Sequence, residues 1–166
     1  MEKISISMLA KSDPQLISDA FANGKPKELF ERYFSEQEER KRAVFIARLT
    51  NQVVGYVTLL LEARYNPFRE QNTPEISDLN VLPQFRKRGI GTQLIKYCEQ
   101  YSAREGFATI GLGVGLTHDY GDAINLYIKN GYIPDGRGIT SHCRPVNFGE
   151  NVILDDDLVL WFTKDI

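Results

Sequence analysis

Asp78-Leu-Asn-Val-Leu-Pro-Gln-Phe-Arg-Lys-Arg-Gly-Ile-Gly-Thr92 reads as the end of a β-strand, a basic glycine turn and the start of a helix. The strand reaches back to Ile76 and is closed by Pro83. Downstream, Ile90, Leu94, Ile95 and Tyr97 recur at helical spacing on one side. The turn Arg86-Lys-Arg-Gly-Ile-Gly91 sets several backbone N–H groups at a helix N-terminus, and no bulky side chain at 89 or 91 blocks an approach. Such amides suit an anion, most naturally a pyrophosphate, and three cations stand beside them. Taken alone, the turn is also an ordinary strand-to-helix connection.

A second block removes that ambiguity. Arg86-x-x-Gly89-x-Gly91 is followed by Ala123-Ile-Asn-Leu-Tyr-Ile-Lys-Asn-Gly-Tyr132. In order, spacing and context the pair resembles the R/Q-x-x-G-x-G/A and A-x-x-L-Y-x-x-x-G-F/Y elements of the GNAT superfamily of acyl-CoA-dependent N-acetyltransferases. The resemblance covers roughly residues 43–133. Gly111-Leu-Gly-Val-Gly115 is superficially similar to a dinucleotide fingerprint, but Leu116 stands where its third glycine belongs.

The resemblance implies acetyl-CoA as co-substrate and an amine as acceptor, with no metal. The backbone of Arg88, Gly89, Ile90, Gly91 and Thr92 would bind the pyrophosphate. Arg86, Lys87 or Arg88 would add charge-assisted contacts. Leu79 and Val81 would hydrogen-bond the pantetheine arm, and the Leu79 amide would also be the oxyanion donor. Tyr127 matches the family's tyrosine near the CoA sulfur, where a phenol donates a proton to the leaving thiolate. Asn125 matches a frequent cofactor contact. Glu75, at the start of the strand, stands where some members carry a catalytic glutamate. Asp78 competes with it, but strand alternation sets the two on opposite faces. His118, beside Asp119, reads as incidental.

The acceptor is less legible. Tyr33, Phe34, Tyr65 and Phe68 are available to clamp an amine, although packing explains Tyr33 and Phe34 as well. Asp155-Asp-Asp157 suits either a cation or a solvated turn. A small primary amine is the first expectation. The alternatives are a protein N-terminus or lysine, or an acyl-CoA sensor without turnover.

Length and composition fit this reading. The 166 residues suffice for one domain spanning 1–166. A net charge of −2 argues against nucleic-acid or anionic-membrane binding. No apolar run approaches the ~20 residues a bilayer needs. Met1-Glu-Lys-Ile-Ser-Ile lacks a signal-peptide core. Cys98 and Cys143 show no metal or redox spacing, which fits free thiols and a cytoplasmic setting. A homodimer is left open by the resemblance.

Strands are expected at 4–9, 43–49, 53–61, 75–81, 107–114 and 158–163. Helices are expected at 12–22, 26–42, 89–104 and 122–130. Residues 50–52 read as a hairpin turn, and 62–74 and 134–145 as loops. Asn23-Gly24 should end the first helix, and Gly131 should cap the last in a left-handed conformation. The fold expected is a GNAT-like α/β (α+β mixed) domain. Its central sheet is mixed and mostly antiparallel, with about six to seven strands and about four flanking helices.

Overall fold

In the computed structural model, residues 3–22 and 24–166 are described. The expected turn at Asn23 therefore lies partly outside them. The chain divides into two compact units, Met1–Leu61 with Ile76–Tyr101, and Glu62–Glu75 with Ser102–Ile166.

The first unit is built on β1 (Ile4–Met8), β2 (Arg42–Leu49), β3 (Gln52–Leu60) and β4 (Glu75–Val81), adjacent in that order. β1–β2 and β2–β3 are antiparallel, and β2–β3 is a hairpin with a bulge between Ala47 and Arg48. Thr50, at φ 55°, turns the hairpin where a turn was expected. Alternation along β2 explains how the helices attach. Val44 and Ile46 join Leu9, Ile17, Phe30 and Tyr56 in a core under α1 (Asp13–Ala20) and α2 (Lys27–Glu38). Phe45 instead meets Tyr97 and Tyr101 of α4 (Ile90–Arg104), at centroid distances of 4.9 and 5.2 Å. β2 and β3 are thus covered on both faces and read as near-continuous apolar runs. Leu94 and Ile95 of α4 are fully buried, each contributing about 1.5–3 kcal/mol of apolar burial.

The second unit contains α3 (Asn66–Glu70), β5 (Thr109–Gly115), α5 (Gly121–Lys129), β6 (Ile133–Ser141), β7 (Arg144–Pro145) and β8 (Leu158–Asp165). Its strands lie in the order β5-β8-β6-β7, and their pairings are antiparallel. Gly131 caps α5 at φ 89°, as expected.

The mixed, mostly antiparallel α/β class is the one expected. The described residues hold eight strands and five α-helices, more than expected. α3 is a five-residue helix inside the expected loop 62–74, started by Pro67 and held by burial of Phe68. The tail read as a loop is the β6–β7 hairpin. Pro134, Gly136 and Gly138 disguise β6, whose register shifts between Pro134 and Ile139. His142 and Cys143, at φ 51° and 61°, make its two-residue turn without the usual Asn-Gly. α2 stops at Glu38 because Arg40 adopts φ 57°.

Candidate active site

The glycine turn sits as read. After β4, a single 3₁₀ turn at Pro83–Phe85 leads into exposed Arg86, Lys87 and Arg88. Lys87 has φ 59° and Gly89 φ 78°, and open space surrounds the point where a Gly89 side chain would begin. A left-handed residue there turns the chain directly into α4. A backbone hydrogen bond from the Gln93 N–H to the Gly89 carbonyl, at 3.0 Å, opens the helix. The N–H groups of Ile90, Gly91 and Thr92 precede that bond and have no partner within the helix. No acidic side chain occupies the first turn. The helix dipole and three cations therefore act together on an incoming anion. The Arg86 side chain folds back, its Nε donating to the Val81 carbonyl at 3.1 Å. The Arg88 guanidinium lies over the Phe85 ring at 5.3 Å.

β4 is kinked at the centre. Asp78 has φ 50°, a conformation no extended strand contains. The left-handed residue interrupts the regular alternation of the strand at this point. Its carboxylate collects four donors, three of them from distant parts of the first unit. Oδ1 accepts from Lys25 Nζ at 2.7 Å and Asn80 Nδ2 at 2.8 Å. Oδ2 accepts from the hydroxyls of Tyr33 at 3.0 Å and Tyr56 at 2.9 Å. The rings are held edge-on by Phe30 and Phe21, with centroids 5.1–6.0 Å apart. Burial, reinforced by the Asp78 charge, pushes the Tyr33 phenol up to about 12. The same two causes push the Tyr56 phenol up. Both therefore remain neutral donors at ordinary pH. This cluster escaped sequence reading, since its partners lie up to 53 residues apart. The available signal was a second carboxylate in the middle of a strand that already begins with Glu75.

Glu75 is engaged elsewhere. Its carboxylate is fully buried and accepts from the Arg64 backbone N–H, Nε and Nη2, at 2.9, 3.1 and 2.6 Å. Tyr127, on α5, is 9% exposed and meets the Tyr132 ring edge-on at 6.0 Å. Asn125 is exposed on the same helix. His118 and Asp119 form an exposed pair. Tyr65 and Phe68 pack with Trp161, Tyr65 stacking on the indole at 4.3 Å. Phe34 packs against the first unit's core. Of three-residue groups with metal-ligand chemistry, the described residues hold His142, Asp155 and Asp157, mostly solvent-exposed. Exposed acidic groups commonly cluster this way without an ion.

A family model described as the acetyltransferase (GNAT) family matches residues 14–132. The chain belongs to the GNAT family. An N-alpha-acetyltransferase of Sulfurisphaera tokodaii is 31% identical over 104 residues, covering 57% of this chain and 59% of that protein. This GNAT chain thus spans under two thirds of that relative's length. Among solved structures, the N-acetyltransferase of Staphylococcus aureus Mu50 superposes with a TM-score of 0.71 at 20% identity, covering 98% of each chain. A GNAT acetyltransferase of Elizabethkingia anophelis with acetyl-CoA bound gives 0.66 at 19% identity over all of both chains. These likenesses establish the fold. No helix among the described residues is long and apolar enough to cross a membrane.

Proposed function

We propose that residues 1–166 act as one N-acetyltransferase domain that transfers an acetyl group from acetyl-CoA to a small primary amine by direct attack. The observation that carries this reading is the Arg86–Thr92 turn, where first-turn amides of α4 meet open space above Gly89 and three exposed cations. A pyrophosphate is the anion such a turn holds best. The Leu79 and Val81 backbone would then carry the pantetheine arm, with the Leu79 amide stabilising the oxyanion. The left-handed kink at Asp78, immediately before Leu79, supports this role. A kinked strand turns the next amide out of the regular ladder. Tyr127 would protonate the leaving thiolate, and Asn125 would contact the cofactor. For Glu75 we assign a positioning role, because its carboxylate is buried and committed to Arg64.

A second reading, acetylation of a protein N-terminus, is favoured by the name of the Sulfurisphaera tokodaii relative. Thiol release from acetyl-CoA, measured over a panel of small amines and N-terminal peptides, separates the two. Tyr127→Phe should lower kcat roughly a hundredfold, as for loss of a general acid, while CoA affinity measured by calorimetry stays constant. Equal rates in variant and wild type would remove Tyr127 from the chemistry. Acetyl-CoA binding without turnover on any acceptor would make the protein a sensor.

A further inference from the structure

We propose that the Asp78 carboxylate and the Tyr56 ring form a docking point for a protonated aliphatic amine, which Lys25 fills as an internal stand-in until the acceptor displaces it. The inference rests on the acetyltransferase reading and names its acceptor class, a diamine: the docked nitrogen stays an ammonium, while the second, neutral amine attacks the thioester and its proton ends on the leaving thiolate.

The cluster already shows how it treats an alkylammonium. Lys25 Nζ lies 2.7 Å from Asp78 Oδ1 and 5.9 Å from the Tyr56 ring centroid. A carboxylate paired with an aromatic face is a chemical match for a cationic amine on a methylene stem. A neutral aromatic amine would lack the charge that this pairing rewards, and an anion would be repelled.

The donors differ in how firmly they are held. The Tyr33 and Tyr56 hydroxyls sit on rings locked in the core, and Asn80 is two residues away on β4. Lys25 reaches in from the connection between α1 and α2, between Gly24 at φ 119° and Pro26. Its side chain is 29% exposed and that of Asp78 17%, so the pair opens to solvent. Ordering a lysine stem costs rotamer entropy, which its release returns. An incoming ammonium replaces the one Lys25 gives up, charge for charge. Asp78 therefore never loses its counter-ion. The left-handed backbone at Asp78 is the kind of local strain that collects at binding sites. It also stands directly before Leu79, the amide assigned to the oxyanion.

The test measures direct binding of 1,4-diaminobutane by calorimetry and acetyl transfer to it, for wild type, Lys25→Met and Asp78→Asn. Lys25→Met keeps an apolar stem and removes the competing charge. It should tighten diamine binding and lower its KM about tenfold, with the acetyl-CoA KM unchanged. Asp78→Asn should weaken diamine binding at least tenfold. Unchanged or weaker diamine binding in Lys25→Met overturns the proposal, whatever Asp78→Asn does to folding. Tighter binding with no acetyl transfer to the diamine overturns the docking point as the acceptor site, while the acetyltransferase reading falls only if no amine in the panel turns over.

Discussion

A carboxylate with no exposed surface needs its donors fixed in place, and Glu75 takes three hydrogen bonds from one residue, Arg64. One comes from the backbone, so Arg64→Ala leaves that bond and removes two charge-assisted ones. A buried charge stripped of its partner typically costs 3–5 kcal/mol, but the Arg64 side chain is 64% exposed and water already shares its charge. We expect a loss of about 2 kcal/mol, the value of a charged hydrogen bond and below that of a stripped buried charge. Urea unfolding measures it, and an unchanged midpoint would mean that water replaces the guanidinium freely. Sequence reading took Glu75 as a catalytic candidate because the resemblance puts a glutamate at that place on the strand. Its engagement by Arg64 is not visible there, because a strand-end carboxylate looks the same whether solvated or buried. The Asp78 cluster was hidden for the same reason, as Lys25, Tyr33 and Tyr56 share no local pattern with it.

At the scale of an element, β5 explains a motif that resembled a nucleotide site. Glycines at 111, 113 and 115 share one face of the strand, and each accepts an aromatic ring where a side chain would stand. A Cβ would run into Phe68 at position 111, Val159 at 2.7 Å and Trp161 at 2.8 Å at 113, and Tyr120 at 2.5 Å at 115. The ring above Gly113 cannot retreat. Trp161 donates its Nε1–H to Thr140 Oγ1 at 2.8 Å and stacks on Tyr65 at 4.3 Å. Gly113→Ala should therefore cost about 1–3 kcal/mol of overpacking, read as a lower denaturation midpoint with shifted indole fluorescence. An unchanged spectrum and midpoint would show that the strand moves away instead. The elements legible in the sequence were those with local grammar: strand, glycine turn and periodic helix from Ile76 to Arg104. α3 was missed because a single buried Phe68 holds it. The β6–β7 hairpin was missed because its breakers and its His142-Cys143 turn contradict the usual signals.

For the molecule as a whole, several buried phenols make alkaline stability the informative axis. Burial, then Asp78, pushes Tyr33 up to about 12, while burial, then Asp135, pushes Tyr65 up to about 12. One lies in each compact unit. A tyrosine in the unfolded chain ionises near pH ~10. Below that pH both states keep the proton, and the folded state holds its full advantage. Between about 10 and 12 the unfolded chain has lost protons that the folded chain retains, so stability falls as pH rises. The melting temperature should be nearly level from neutrality to about pH 9.5 as far as these groups govern it, then drop steeply. Phenolate absorbance at 295 nm should rise in two stages, exposed tyrosines first and the buried ones only as the fold is lost. Tyr33→Phe removes one titrating group, so its melting temperature should fall less over the same pH interval. If all eight tyrosines titrate together near pH ~10 with the fold intact, the phenols are not held by the carboxylates named here. The assignment of Tyr33 and Tyr56 as neutral donors to Asp78 would then fail with them.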